Sequence, residues 1–500
     1  RWFKHPYTIC YSHPDKSHDH HMQKSKQLAL SLKRLIETGT WKAHDKLPSL
    51  RQQVQISGFS LMTVLNAYQE LEAQGLIYSK SKLGYFVAVP PVPASGTHNM
   101  VQSTNIEINS RVFRYLKSIQ SEHIVPFGSA FPDSRLLYSA QLMHTLARQA
   151  KHKAAYQQMP SLPPGNYALR KYIAQRYCMQ GIPTDPEDIV ITSGGLDALN
   201  LSLRALTQAG DYILLQESIF YGAWQAAENL GLNVIILPDH PEYGLDLEAF
   251  KQALITYPIK VCLLMLNSQN PIGYTVCDEI KAQLAALLYE HDVYLIEDDV
   301  YEELYYGAHK PHSMKFFDLH HRVIHCSSFS KTLGAGFRVG WVYAAQFSAQ
   351  IQHLQLMSTI SVNALIQSTL VEYLSQRHYD KHLKQLRSSL KRLKDQYYEI
   401  LTQRLPATCH IHYYPSGYFL WIALPEQLDS QQLYEDLLQH QIGIAPGYLF
   451  NQHPEHAHHL RLNCSFEIDA TIEQALQQLA QSIKRQFALN SMHIPKSDNP

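Results

Sequence analysis

The sequence has few of the features that mark secreted or membrane-bound proteins. Its seven cysteines are scattered and no two are spaced as Cys-x-x-Cys, which argues against a disulfide scaffold or a zinc site. No apolar run approaches the roughly 20 residues that a membrane-spanning helix needs. The first residues, rich in His and Lys, contain no apolar signal-peptide core. We therefore expect a cytoplasmic protein with no membrane partner and no metal.

The sequence also lacks net charge, because 43 Lys and Arg residues balance 43 Asp and Glu residues. These charges are unevenly distributed. Residues 1–90 contain twelve basic and six acidic residues, so the rest of the chain carries an acidic excess. A basic end on an acidic chain favours a polyanionic partner for that end. Because 500 residues exceed what one hydrophobic core organises, we expect two or more domains.

Residues 24–89 predict a small domain of three helices followed by a hairpin. The second helix is short and capped by Ser49, and the third is capped by Ser60. Two short strands then flank a basic turn that contains Lys80 and Lys82. This order predicts a winged helix-turn-helix (α+β), whose third helix enters the major groove of DNA while wing lysines meet phosphates. The apolar face of the third helix is expected to comprise Leu61, Val64, Tyr68 and Leu71.

Three short motifs of this segment are shared with a known family: Leu47-Pro48-Ser49-x-Arg51, Tyr68-x-x-Leu71-x-x-x-Gly75-Leu76 and Gly84-Tyr85-x-Val87. Over about residues 23–89 they resemble the GntR family of bacterial regulators, which implies double-stranded DNA as a partner. By this resemblance, four residues fall where family members touch DNA: Arg51, Ser60, Thr63 and Gly84. Many members carry arginine where this chain has Leu61. The alternative, a small helical docking domain, leaves the basic hairpin unexplained.

The composition changes after this domain. Residues 90–122 begin with several prolines and show no periodicity, which predicts a linker. From there strands alternate with helices, the pattern of an α/β domain, which we assign to residues 123–490. Residues 1–23 and 491–500 are expected to be tails.

The stretch that organises the second domain is Ser-Ser-Phe-Ser-Lys-Thr-Leu-Gly-Ala-Gly-Phe-Arg-Val-Gly-Trp, residues 327–341. A β-rich run precedes it, so Lys331 is expected just past the end of a strand. The small residues around this lysine let a bulky ligand approach the backbone. One lysine with Ser328, Ser330 and Arg338 suits a cofactor that carries an aldehyde and a phosphate. Taken alone, the stretch favours a solvated lysine in a loop.

Three further candidates follow predicted strands. A glycine turn at Gly195 opens a helix and presents free backbone N–H groups to an anion. Asn270 follows one buried strand and Asp298 ends another, where open α/β sheets bind their ligands. Each has a structural alternative: a common glycine turn, an asparagine that stabilises its own turn, or an aspartate that caps the next helix.

Together these residues match the requirements of pyridoxal 5'-phosphate (PLP). Lys331 would bind its aldehyde covalently, and Asp298 would keep its ring nitrogen protonated. Asn270 and Tyr301 would donate hydrogen bonds to its phenolic oxygen, and Tyr221 would stack on its ring. Five residues would hold its phosphate: Gly195, Leu196, Ser328, Ser330 and Arg338.

The order and spacing of these residues look like those of fold-type I aminotransferases of the aspartate aminotransferase class, over about residues 124–483. The resemblance also includes Tyr156, followed by Pro164-Gly165-x-x-x-Leu169-Arg170. In that family the tyrosine reaches the cofactor phosphate of the neighbouring subunit. Arg461, in Leu460-Arg461-Leu462-Asn463, is implied as the anchor of a substrate or effector carboxylate. The alternative for Arg461 is an edge-strand arginine in water.

A GntR-like winged helix followed by an aminotransferase-like domain is the architecture of the MocR subfamily of bacterial regulators. The resemblance implies PLP, an amino-compound effector and a head-to-tail homodimer. Two hypotheses remain open: a transcription regulator that senses PLP or an amino acid, and an active PLP-dependent aminotransferase with an appended DNA-binding domain. The site residues do not separate them, whereas the basic winged helix favours regulation.

Overall fold

The computed structural model of the protein divides into two compact units, residues 1–103 and 104–500. It describes residues 24–37, 40–80, 84–88, 107–119, 123–151, 161–240, 243–376, 378–450 and 457–491. Lys82, Tyr156, the tail at residues 1–23 and most of the expected linker lie outside these segments. The described part of that linker is not irregular, because Glu107–Ser118 form a helix with Val112 and Tyr115 buried. Within them, no helix is long and apolar enough to cross a membrane.

The first unit has the predicted order of three helices and a two-stranded hairpin. Its elements are α1 (Lys24–Glu37), α2 (Leu50–Ser57), α3 (Leu61–Ala73), β1 (Ile77–Lys80) and β2 (Gly84–Val87). Ser49 caps α2 and Ser60 caps α3, because each hydroxyl accepts a hydrogen bond from a backbone N–H in the first turn. The two strands are antiparallel, with Lys80 opposite Gly84. This arrangement is a winged helix-turn-helix.

The core of the first unit is formed by one face of α1, one face of α3 and the hairpin. Its buried members include Leu28, Leu32, Val64, Tyr68, Leu71 and Val87. Leu61 was expected among them, but its side chain is 51% exposed. The physical reason is its position at the start of α3, because side chains lean toward the N-terminus of a helix and so project beyond the packed turns.

The second unit is built around a seven-stranded sheet with the order β3-β9-β8-β7-β6-β4-β5. Its strands are β3 (Ile189–Thr192), β4 (Tyr212–Gln216), β5 (Asn233–Leu237), β6 (Ile259–Leu264), β7 (Tyr294–Asp298), β8 (Val323–Ser328) and β9 (Gly340–Tyr343). Neighbouring strands are parallel except at β9, which runs antiparallel to β3 and β8. Every residue of β8 is buried, as expected for a strand covered on both faces.

Helices surround this sheet. Those that precede or join its strands are α4 (Glu107–Ser118), α5 (Ser134–Leu137), α6 (Ala140–Lys151), α7 (Tyr167–Met179), α8 (Gly195–Leu206), α9 (Tyr221–Asn229), α10 (Leu247–Thr256) and α11 (Asp278–Glu290). Those that follow the sheet are α12 (Ser348–Ser358), α13 (Ala364–Ser375), α14 (His378–Arg404), α15 (Ser430–Gln439) and α16 (Ala470–Ser491).

A smaller antiparallel sheet has the order β10-β11-β13-β12. Its strands are β10 (His410–His412), β11 (Phe419–Ala423), β12 (Ala445–Pro446) and β13 (His459–Asn463). Apolar residues of this sheet share one core with residues of α4, α14, α15 and α16. Because β7 and β8 are parallel neighbours, Asp298 and the turn that carries Lys331 reach the same edge of the large sheet.

Candidate functional site

Lys331 lies in a short 3₁₀ turn, Phe329–Lys331, directly after β8, as predicted. Its side chain is not solvated: the residue is 8% exposed, and Nζ donates a hydrogen bond to the carbonyl oxygen of Ala130 over 2.7 Å. Nζ also lies 4.1 Å from the ring centroid of Phe131. Burial, assisted by the charge of Arg461, lowers the pKa of Lys331 to about 7. The amine is therefore neutral in much of its population near neutral pH.

Asp298 is the last residue of β7 and is buried. Burial, followed by the nearby charge of Asp299, raises the pKa of Asp298 to about 7. The backbone N–H of Val300 and the charge of Lys331 oppose that rise. The Oδ1 atom of Asp298 has no hydrogen-bond partner among the described residues. A buried carboxylate oxygen without a partner is costly for the protein alone, so it marks a position suited to a ligand donor.

Asn270 and Tyr301 are close enough to act on one ligand atom. Asn270 Nδ2 donates to the Tyr301 hydroxyl over 3.5 Å, the outer limit of a hydrogen bond. Tyr301 is buried, and burial raises the pKa of its hydroxyl. Tyr221 begins α9 and is 8% exposed. Burial raises the pKa of Tyr221, and the positive charge of Arg461 opposes that rise. Tyr221 therefore lies close enough to Arg461 to feel its charge.

The turn before α8 meets Arg338 and Ser328. Gly194 has a positive φ of 99°, and a Cβ added there would lie 2.8 Å from Nη2 of Arg338. Arg338 Nη2 donates to the carbonyl oxygen of Ser193 over 2.6 Å. A Cβ at Gly195 would lie 2.8 Å from Cγ1 of Val300 and 3.7 Å from Oγ of Ser328. Glycines therefore keep this turn open beside a hydroxyl and a guanidinium, as an anion site at a helix N-terminus requires.

Leu196 and Ser330 complete the residues predicted for the phosphate. The side chain of Leu196 is 44% exposed, so only its backbone N–H, in the first turn of α8, is suited to contact an anion. Ser330 is buried, and its Oγ has no hydrogen-bond partner among the described residues.

Arg461 is the largest buried side chain at the site and is 1% exposed. Its strand, β13, lies between β11 and β12, so the alternative of an edge-strand arginine in water is wrong. Nη1 donates to Oδ1 of Asn270 over 2.6 Å, and Nη2 donates to the carbonyl oxygen of Gly128 over 2.7 Å. The guanidinium carbon lies 4.3 Å and 4.8 Å from the ring centroids of Phe419 and Phe450. Nε has no partner among the described residues.

A buried polar network lies behind Asp298. Asp299 Oδ2 accepts a hydrogen bond from Nδ2 of Asn267 over 3.0 Å and contacts Nε2 of His325 at 3.2 Å. The other ring nitrogen of His325 bonds to the hydroxyl of Tyr177 at 2.6 Å. This network fixes the segment that follows β7 and therefore the position of Asp298.

In the winged helix-turn-helix, the described residues among those predicted to touch DNA lie near the surface. Arg51 is an exposed residue in the first turn of α2, and the hydroxyls of Ser60 and Thr63 lie 2.8 Å apart at the start of α3. Gly84 has a φ of 105° at the start of the second wing strand. Lys80 is exposed, with Nζ 5.0 Å from the ring centroid of Phe86.

Comparison with known proteins matches each of the two units to a protein family. The family model for bacterial regulatory proteins of the gntR family matches residues 24–87. The model for aminotransferases of class I and II matches residues 136–479. The uncharacterized HTH-type transcriptional regulator YdcR of Escherichia coli (strain K12) is 46% identical over 468 residues, covering 93% of this chain and all of YdcR. The chain belongs to the MocR subfamily of GntR-type regulators.

Another relative of this chain is also named a transcriptional regulator. The HTH-type transcriptional regulator NorG of Staphylococcus aureus (strain USA300) is 27% identical, covering 88% of this chain and all of NorG. The second unit has the fold of solved aminotransferases, which confirms the predicted fold class. A kynurenine aminotransferase of Pyrococcus horikoshii is 24% identical with a TM-score of 0.69, covering 75% of this chain and 94% of its own. The α-aminoadipate aminotransferase LysN of Thermus thermophilus is 25% identical with a TM-score of 0.68, covering 76% of this chain and 99% of its own.

Sequence reasoning missed three residues of the MocR site. Gly128 accepts from Arg461, Ala130 accepts from Lys331, and the ring of Phe131 packs beside the lysine amine. These residues lie about 200 or more positions from the groups that they contact. Gly128 and Ala130 each contribute a backbone carbonyl, and the side chain of a residue does not reveal the contact that its carbonyl makes.

Proposed function

We propose that the protein is a DNA-binding transcription regulator whose aminotransferase-like unit binds PLP and an amino compound. The observation that carries this proposal is a set of buried polar atoms without partners among the described residues: Asp298 Oδ1, Ser330 Oγ and Arg461 Nε. Ser330 lies in the same turn as Lys331, and the charges of Asp298 and Arg461 act on its buried amine. Such atoms are unfavourable unless a ligand supplies their partners.

The residues present fit PLP. Lys331, whose pKa burial lowers to about 7, offers a neutral amine for the aldehyde. Asp298 would accept the hydrogen bond of the ring nitrogen through its unpartnered oxygen, and Asn270 and Tyr301 would donate to the phenolic oxygen. Tyr221 would cover the ring. When bound, PLP supplies an electron sink for the carbon that bears an amino group.

The phosphate would be held where the α8 turn, the β8 turn and Arg338 meet. The donors would be the backbone N–H groups of Gly195 and Leu196, the hydroxyls of Ser328 and Ser330, and the Arg338 guanidinium. We propose that Tyr156 of a second copy makes a further phosphate contact, so the site is expected to need a homodimer.

The amino compound would bind through a carboxylate at Arg461. The guanidinium is buried, is oriented by Asn270 and Gly128, and keeps an N–H group without a partner among the described residues. Bidentate recognition of a planar carboxylate is the usual use of such a group. We infer an amino acid or a related amino-carboxylate as the effector.

The winged helix would bind double-stranded DNA through α3 and the wing. Ser60, Thr63 and Arg51 would contact the backbone, and Lys80, Lys82 and Gly84 would follow the phosphates at the wing. Leu61 and Met62, at the start of α3, are 51% and 63% exposed. We propose that they contact thymine methyl groups in the major groove, in place of an arginine that reads guanine.

An assay for both activities tests the proposal. Footprinting of the full-length protein on DNA around its gene should reveal a protected region, with affinity that falls steeply as salt increases. Half-transamination of common amino acids, measured on the same sample, tests the alternative. Turnover at an ordinary enzymatic rate without any protected DNA would favour an aminotransferase over a regulator.

A further inference from the structure

Tyr115 and Arg461 donate hydrogen bonds to the same carbonyl oxygen, that of Gly128. The Tyr115 hydroxyl lies 2.6 Å from this oxygen, and Nη2 of Arg461 lies 2.7 Å from it. A carbonyl oxygen has two lone pairs, so these two donors complete its hydrogen bonding. Tyr115 is 2% exposed and Arg461 is 1% exposed, so both donors are largely shielded from solvent.

The backbone at Gly128 is held firmly in this position. Its N–H donates to the carbonyl oxygen of Gly443 over 2.6 Å. A Cβ at Gly128 would collide with the Tyr115 hydroxyl and with the backbone of Ile444. The space beside Gly128 therefore admits no side chain, which lets the Tyr115 hydroxyl reach the carbonyl that orients Arg461.

Tyr115 belongs to α4, the first described element after the segment that follows the winged helix-turn-helix. A second contact holds this helix, because the Ser118 hydroxyl bonds to the hydroxyl of Tyr434 on α15. The rings of Tyr115 and Tyr434 lie 5.9 Å apart. Of these two tyrosines, only Tyr115 contacts a group that also contacts Arg461.

We propose that Tyr115 is a positioning residue that couples occupancy of the Arg461 carboxylate site to the order of α4. A carboxylate bound to the guanidinium would restrict the movement of Arg461, and the Gly128 carbonyl would pass that restriction to Tyr115 because it accepts hydrogen bonds from both side chains. Because coupling between two sites is reciprocal, loss of the Tyr115 hydroxyl weakens carboxylate binding and removes the response of α4. This inference rests on the proposed role of Arg461.

The test uses propionate as a carboxylate probe and the full-length protein saturated with PLP. Calorimetry measures propionate affinity, and hydrogen exchange of residues 107–119 measures the order of α4. The variant Tyr115→Phe removes only the hydroxyl. Tyr434→Phe is the matched control, because it removes the other tyrosine hydroxyl that holds α4 and leaves Gly128 untouched.

The expected result is that propionate slows exchange over residues 107–119 in the wild type and in Tyr434→Phe. Tyr115→Phe should bind propionate between about twofold and about tenfold more weakly, the range for one lost hydrogen bond, and should show no slowing. If Tyr115→Phe matches Tyr434→Phe in affinity and in exchange, the coupling is refuted while the proposed function stands.

Failure of the proposed function would look different. If the wild type does not bind propionate, Arg461 is not a carboxylate anchor, and the coupling falls with it. If Tyr115→Phe does not fold, the wild type alone still tests the inference. Wild-type protein that binds propionate without slower hydrogen exchange in α4 would overturn it.

Discussion

Arg461 donates a hydrogen bond from Nη1 to Oδ1 of Asn270 over 2.6 Å, across 191 positions of sequence. Arg461 lies on the small sheet, whereas Asn270 follows β6 of the large sheet. The bond joins the two sheets at the site and places the proposed carboxylate anchor beside an amide proposed for the cofactor. A change at either residue is therefore expected to affect both ligands.

The charged neighbours of Lys331 shift its pKa in opposite directions, and Arg338 lowers it as Arg461 does. Arg461 lowers the pKa of Lys331 and Asp298 raises it, around a value of about 7 that burial mainly sets. Because the neutral amine is the nucleophile, the rate of PLP attachment should rise as pH increases through about 7. Arg461→Gln should move this midpoint upward, and Asp298→Asn should move it downward.

Stopped-flow absorbance of the attached cofactor, followed across pH, measures these midpoints. Lys384→Gln is a control, because Lys384 is an exposed lysine on α14. A midpoint near the ordinary lysine value of 10.5, or shifts of the same sign in both variants, would contradict the assigned surroundings of Lys331.

Gly194→Ala should weaken PLP binding. The residue has a φ of 99°, and an added Cβ would lie 2.8 Å from Nη2 of Arg338, so the guanidinium must move away from the proposed phosphate. Gly210→Ala is a matched control, since Gly210 has a φ of 91° with no atom within 4 Å of an added Cβ. Both variants should lose about 1–2 kcal/mol of unfolding free energy from backbone strain.

Chemical unfolding and titration with PLP separate the two effects of these glycine variants. We expect similar losses of unfolding free energy but a loss of cofactor affinity in Gly194→Ala alone. Equal PLP affinities in the two variants would show that Arg338 and the α8 turn do not hold the phosphate.

Thymine methyl groups should contribute to DNA affinity through Leu61 and Met62, which are 51% and 63% exposed. Replacing thymine by deoxyuridine at a contacted position removes one methyl and should cost about 0.8 kcal/mol of binding free energy. The double variant Leu61→Ala, Met62→Ala should lose this sensitivity. Ile56→Ala, which removes another exposed apolar side chain (55%), should keep it. Fluorescence anisotropy on duplexes that differ only in thymine or deoxyuridine measures the change in affinity. If the wild type, the double variant and Ile56→Ala all lose affinity when the methyl is removed, Leu61 and Met62 do not contact it.

Local signals in the sequence were sufficient for much of the fold. The caps at Ser49 and Ser60 could be predicted because a capping residue and the helix that it caps are adjacent in sequence. Lys331 could be placed after a strand for the same reason. Leu61 was misplaced because periodicity assigns a residue to a helix face without telling how far the packed core extends along that helix.

The surroundings of the site residues depend on contacts between distant parts of the chain. Lys331 and Arg461 both contact the loop that contains Gly128, Ala130 and Phe131, and no spacing pattern marks that loop. The resulting pKa of about 7 for Lys331 could not be inferred from a Ser-x-Ser-Lys motif, because burial sets it.

We propose that PLP bound at Lys331 changes the affinity of the protein for DNA, and this central claim is tested most directly by footprinting on DNA around the gene. The wild type and Lys331→Ala are compared with and without PLP. We predict a protected region whose affinity for the wild type changes when PLP is added, and no change for Lys331→Ala. Absence of any protected region, or an equal response to PLP in the two proteins, would contradict the claim.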